Sequence, residues 1–118
     1  MADSEPDGIG SAATLLRIFI GNDDAYQGQP LYQAILAAAR AAGLAGVTVL
    51  RGVAGYGRSA RRHETFRGFS LDLPVIVEII DRDDKITAWL PTADPLLRGA
   101  VVSAQNVRML YPNDAERK

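Results

Sequence analysis

Leu73-Pro74-Val75-Ile76-Val77-Glu78-Ile79-Ile80-Asp81 is the most restrictive stretch of this chain. It is an almost continuous apolar, largely β-branched run up to the closing Asp81, broken by Glu78, so a strand built from it carries apolar side chains on both faces. Such a strand belongs inside a sheet, with cover on each side. If helices cover one face only, the other leaves an apolar patch larger than monomers usually expose, and an oligomer that buries it is the natural solution.

The flanking segments supply the rest of the sheet and its helices. Thr14 to Ile20 reads as a strand, closed by the turn chemistry of Gly21-Asn22-Asp23-Asp24. Pro30 suits a first helical turn, and Leu31, Ala34, Ile35, Ala38, Ala39 and Ala42 then follow helical spacing. The many alanines make this stripe thin, so the helix lies close to the sheet. Gly43 stops it, and Leu44 supplies the apolar contact that often follows such a stop. Val47 to Ala54 reads as a second strand. Arg82 to Leu97 reads as a helix anchored by Ile86, Trp89, Leu90 and Leu97, with Pro91 and Pro95 expected to kink or split it. Gly99 ends it, and Val101 to Tyr111 gives the last strand, firm from Asn106 onward. The order βαββαβ predicts a ferredoxin-like α+β sandwich, an antiparallel four-stranded sheet with both helices on one face.

The 118 residues allow one domain, and this reading assigns it residues 14–111. Met1 to Ala13, acidic and without periodicity, and Pro112 to Lys118 read as disordered tails. Cysteine is absent, which excludes disulfides, thiolate zinc sites and a cysteine nucleophile, and a single His excludes a multi-histidine metal site. A net charge of −1 gives no basic excess for a nucleic-acid partner. No apolar run reaches the ~18 residues of a membrane span, and the acidic N-terminus is unlike a secretory signal, so a cytoplasmic location is expected.

Gly55 to Phe69 differs from its surroundings. It holds Arg58, Arg61, Arg62 and Arg67, the only His, and no aliphatic side chain larger than Ala. It reads as a long mobile loop, a length that in a small domain is usually functional or disordered. At its base, Gly55-Tyr56-Gly57-Arg58 can turn backbone N–H groups toward an anion, and Arg58 adds a planar donor fork suited to phosphate. The alternative is that the glycines only bend the strand into the loop. Arg61, Arg62, His63, Phe66 and Arg67 form an arm that can dock on an acidic partner; His63 reads as an exposed loop residue and not as a base. Glu78 is expected to pair across the sheet with Arg17 or Arg108. Asp81 to Asp84 can be a magnesium site, but an N-cap with acids favoured by the helix dipole accounts for them more simply. Trp89 reads as core or interface. No Ser/His/Asp set, paired carboxylates or P-loop is present, so no catalytic residue is assigned and an enzyme is not expected.

Several of these segments, in order, resemble the PII signalling proteins. Ala42-Gly43-Leu44-Ala45-Gly46-Val47-Thr48-Val49 followed by Gly55-Tyr56-Gly57-Arg58 is similar to their "GxTGMTV" strand and "GFGR" signature, and His63-Glu64-Thr65-Phe66-Arg67-Gly68 falls at their "HTE…YRG". Leu73 to Ile80 resembles their "LPKVKIEIV" strand. Leu16 to Gly21, Gly28-Gln29-Pro30-Leu31-Tyr32 and Leu50 to Gly57 look still more like the PII-like family of domain of unknown function 190, over roughly residues 14 to 111. The resemblance implies a homotrimer with an anionic ligand, such as AMP, ADP or ATP, in clefts between subunits, and Arg108 joins Gly55, Tyr56, Gly57 and Arg58 as a ligand residue. It also implies a protein partner such as a membrane transporter or a metabolic enzyme. There are departures. Thr92 to Gly99 holds no Lys and no glycine-rich cradle, the second Arg of the family's last strand is Leu110, and Phe66 lacks the hydroxyl that some PII proteins modify. These departures favour the second reading, a trimeric adaptor that needs no ligand.

Overall fold

The structure is a computed structural model that describes residues 9–57 and 73–111. β1 (Ser11–Gly21) leads through a small hairpin, β2 (Ala25–Tyr26) and β3 (Gln29–Pro30), into α1 (Leu31–Ala41). β4 (Gly46–Arg51), β5 (Pro74–Arg82), α2 (Asp83–Leu97) and β6 (Val101–Met109) follow. The four long strands form one antiparallel sheet in the order β4-β5-β1-β6, the ferredoxin-like arrangement expected from the sequence.

β5 is central, as its composition requires. Along it, Val75, Val77, Ile79 and Asp81 are buried while Pro74, Ile76, Glu78, Ile80 and Arg82 are only half-buried. The buried set joins Leu16, Ile18 and Ile20 of β1, Ile35 and Ala39 of α1, and Ile86, Trp89, Ala93 and Leu97 of α2 in one core. Both helices therefore pack on one face of the sheet. On the other face the register sets Leu50, Ile76, Phe19 and Val101 in one row across all four strands. Three of these, Phe19, Leu50 and Val101, are exposed.

Several boundaries differ from those read in the sequence. β1 starts at Ser11, because residues 11–13, assigned there to the tail, pair with Val107–Met109. Gly10 just ahead of them has φ +76°, and a Cβ on it would stand 2.7 Å from the Met109 carbonyl oxygen. β4 stops at Arg51 and not Ala54: the Gly52 N–H still donates in register to the Pro74 carbonyl at 2.7 Å, but a proline has no N–H to return the bond, and the ladder ends there. β6 is paired from Val101 onward, although it is exposed along most of its length and so shows no alternation. α2 is a single helix across Pro91 and Pro95; its anchors Ile86, Trp89, Ala93 and Leu97 hold it to the sheet through the lost backbone bonds. Its N-cap is Arg82, with no side-chain cap. Asp81 instead accepts from the backbone N–H groups of Ala45 at 2.9 Å and Arg82 at 2.7 Å, which ties the start of β4 to the start of α2. Asp83 and Asp84 do occupy the first helical turn, where the dipole favours acids.

Candidate functional site

At the end of the sheet where β1 finishes and β5 begins, the chain bends round a proline. The Asn22 N–H donates to the Leu73 carbonyl at 2.8 Å, next to the Gly52–Pro74 bond. A Cβ on Gly52 would lie 2.8 Å from Pro74 Cγ, and one on Gly55, whose φ is +149°, would lie 3.2 Å from the same atom. Glycine at these two positions is thus required by the close passage over Pro74. Gly57 is under no such constraint from the described residues, among which a Cβ there meets nothing within 4 Å. Tyr56 is 92% exposed. Arg58, Arg61, Arg62, His63, Phe66 and Arg67 lie outside the described residues, as do both terminal segments beyond residues 9 and 111.

Arg108 is elsewhere. It pairs in register with Ala12 near the start of β1, whereas Pro74 pairs with Gly21 at its end. The nine residue steps from Ala12 to Gly21 span ~30 Å at the usual rise of a strand. Within one chain, therefore, Arg108 and the Gly55-Tyr56-Gly57 bend stand at opposite ends of the sheet. Arg108 Nη1 donates to the Ile9 carbonyl at 3.3 Å, beside a cleft of about 310 Å³ that Asp83 and Asn106 also line. Asp83 there accepts from Thr14 Oγ1 at 2.6 Å.

The charges on the open sheet face form a network. Arg17 Nε donates to Glu78 Oε2 at 2.9 Å, and Arg17 Nη1 donates to Gln105 Oε1 at 2.9 Å. Of the two partners expected for Glu78, the sheet register selects Arg17, directly opposite it. Arg82 donates to both oxygens of Asp84, and these bonds, with the charge of Arg82, hold the Asp84 carboxyl below its ordinary value against the opposing effect of desolvation. No cluster of His or acidic side chains among the described residues could hold a metal ion.

Sequence reasoning missed the β2–β3 hairpin and the cleft it builds. The signal was Gln27-Gly28, which takes positive φ at both positions, 51° and 84°, as the tight two-residue turn demands. Beside this turn, Arg51 at the end of β4 donates from Nε and Nη2 to Asn22 Oδ1 at 2.9 and 2.7 Å and lies 5.7 Å over the Tyr32 ring. A second groove of about 600 Å³ runs between the helices, lined by Ala38, Ala42, Leu44, Ala88 and Trp89. Trp89 is core, and its Nε1 is buried with no hydrogen-bond partner.

A four-stranded antiparallel sheet carrying two helices on one face, with a glycine bend over Pro74 leading out of β4, defines a PII-like α+β protein. The chain belongs to the DUF190 family, described as "Uncharacterized ACR, COG1993", whose model matches residues 13–109. A UPF0166 protein of Aquifex aeolicus is 39% identical over 99 residues, which cover 82% of this chain and 92% of that one. A UPF0166 protein of Methanocaldococcus jannaschii is 35% identical over 80 residues, 67% of this chain and 73% of that one. Among solved structures, the fold is similar to CPII, a nitrogen regulatory PII-like protein from Thiomonas intermedia K12. CPII bound to ADP, AMP and bicarbonate superposes with a TM-score of 0.59 at 15% identity, covering 85% of this chain and 90% of CPII. CPII bound to ADP, AMP and acetate gives a TM-score of 0.58 at 14% identity, covering 83% and 88%. No helix among the described residues is long and apolar enough to cross a membrane.

Proposed function

We propose that this chain is a non-enzymatic regulatory protein of the PII-like kind. It acts as a cytoplasmic homotrimer whose inter-subunit clefts take a small anionic ligand, an adenine nucleotide. Gly55, Tyr56, Gly57 and Arg58 approach the ligand from one subunit and Arg108 from the next. Arg61, Arg62, His63, Phe66 and Arg67 contact an acidic protein partner, such as a membrane transporter or a metabolic enzyme, and ligand contacts made in only one arrangement of that segment shift its population. The observation behind this reading is the ~30 Å of β1 between Arg108 and the glycine bend, which one chain cannot close, so a site that uses both requires a second copy. The open face of the sheet gives that neighbour an apolar surface to bury, and CPII, with the same fold, binds ADP and AMP.

The test is thermal shift against ATP, ADP and AMP, with and without Mg²⁺. A ligand at 100 times its Kd adds about 2.7 kcal/mol, or several degrees for a domain of this size. Arg58→Ala and Arg108→Gln should each flatten the response. Mixed and reassembled, the two variants should regain about a quarter of the sites, because a head-to-tail interface is whole only when each chain supplies its intact side. A flat response in the wild type would transfer the assignment to the ligand-independent trimeric adaptor. One observation favours that second reading: where PII proteins carry a phosphate-gripping Lys, residues 92–97 here are the last turns of α2 and contain no Lys.

A further inference from the structure

The cleft of about 310 Å³ beside Arg108 brings three polar side chains together from two elements, Asp83 from α2 and Asn106 and Arg108 from β6. Asn106 and Arg108 alternate with Val107 along the strand, so both point to the same side of the sheet, ~7 Å apart. In the register Asn106 stands opposite Thr14, and Thr14 is the residue whose hydroxyl donates to Asp83 Oδ1 at 2.6 Å. That bond fixes the Asp83 carboxylate at the level of Asn106, with Arg108 one step farther along the strand.

Each of the three has hydrogen-bonding capacity left over. Asp83 accepts through Oδ1, and its Oδ2 takes no donor among the described residues. Arg108 gives Nη1 to the Ile9 carbonyl, while its Nε and Nη2 donate to nothing among them. Those two nitrogens are the side-on fork that grips a phosphate. The Asn106 amide enters no hydrogen bond among the described residues. A bare anion here would meet Arg108 and be repelled by Asp83, and a bare cation would meet the reverse. A ligand suits both side chains when it accepts from the guanidinium and donates to the carboxylate, as a phosphate ester with neighbouring hydroxyls does.

We propose that this cleft is a ribose-phosphate subsite and that Asp83 makes it selective for the sugar hydroxyls. Arg108 takes a phosphate through Nε and Nη2, and Asp83 Oδ2 accepts from a ribose hydroxyl, with the Asn106 amide beside them. The inference deepens the nucleotide-binding reading and rests on it. At the low end of the volumes of small-molecule sites, the cleft takes part of a nucleotide and leaves the base to meet the Gly55-Tyr56-Gly57 bend of the neighbouring copy. A ligand without the hydroxyls leaves Asp83 facing it with no donor, which is how a polar site rejects an analogue lacking the group it binds.

The experiment follows the Arg108 side-chain Nε–Hε signal in ¹⁵N-labelled full-length protein, assigned by its loss in Arg108→Lys. ADP, 2′,3′-dideoxy-ADP, ribose 5-phosphate and inorganic phosphate are titrated at constant ionic strength. The expected result is saturable binding of ADP at least about tenfold tighter than of 2′,3′-dideoxy-ADP, and of ribose 5-phosphate tighter than of inorganic phosphate. Asp83→Ala should bring the ratio of the two nucleotides close to one. The ratio is taken within one variant, so the general gain in anion affinity on removing a negative charge cancels from it. Equal binding of the two nucleotides by the wild type would overturn the role of Asp83 and leave the nucleotide reading standing. If ADP gives no response, ribose 5-phosphate saturating ahead of inorganic phosphate would uphold the subsite and overturn the nucleotide reading. Saturation by none of the four would overturn both. Because the wild-type titrations decide between these outcomes, a variant that fails to fold does not remove the test.

Discussion

The Arg17–Glu78 pair measures what the open sheet face is for. In a single chain its side chains are 36% and 28% exposed, and a pair so placed contributes about 0.2–1 kcal/mol. If a second copy covers the face, the same pair loses its water, and breaking it costs about 3–5 kcal/mol because a charge is left buried without its partner. Glu78→Gln therefore distinguishes an exposed face from a covered one by the size of its effect. Urea unfolding at two protein concentrations, with light scattering to record mass, is the assay. The expected result is an assembled wild type, a loss of about 3 kcal/mol or more in Glu78→Gln with partial dissociation, and recovery in Arg17→Met/Glu78→Leu, which replaces both charges by apolar groups. A loss under about 1 kcal/mol with the mass unchanged would show that assembly, if any, does not use this face, and the reasoning from it would fail.

Three further outcomes follow from local geometry. Pro91→Ala restores a backbone N–H in the middle of α2 at an exposed position, and thermal melting should show stabilisation of up to about 3 kcal/mol; an unchanged or lower Tm would mean that the proline ring holds the helix in place. Gly55→Ala forces a Cβ to 3.2 Å from Pro74 at φ +149° and should cost about 1–3 kcal/mol, whereas Gly57→Ala should stay within about 0.5 kcal/mol in the same melt; equal costs would refute the account of the bend. Asp84, its carboxyl lowered by Arg82, contributes stability that is present above the ordinary carboxylate value and lost as pH falls through its own lower value. Asp84→Asn should accordingly flatten the acid limb of a stability–pH curve, and an unchanged limb would remove Asp84 from it.

How legible the fold was depended on whether burial left a period in the sequence. α1 and β5 were readable because one packs a single stripe and the other lies between neighbours on both sides. β6 was only half readable: residues 101–105 are held by the ladder to β1 while their side chains stay exposed, so pairing left no hydrophobic trace. The helix across Pro91 and Pro95 shows packing overriding a backbone preference that the sequence states plainly. Asp81 looked like a cap because a residue's position before a helix is visible in sequence, whereas the Ala45 N–H that it accepts from, 36 residues away, is not. Of the candidate site, Gly55 proved structurally necessary, Arg108 proved distant, and the Arg51 cleft was hidden because its three members, at positions 22, 32 and 51, meet only in the folded chain.

That separation bears on how ligand and assembly are coupled. A site completed by two chains binds nothing until they meet, so ligand affinity and subunit affinity are linked, and each strengthens the other by the same factor. The bend that would supply one half of such a site has little room to adjust, because Gly52 and Gly55 pass so close over Pro74 that a Cβ on either would crowd its ring. Light scattering at low protein concentration, with and without ADP, would expose the coupling as a rise in mass when ADP is present. A mass that ADP leaves unchanged would show that ligand and assembly act independently.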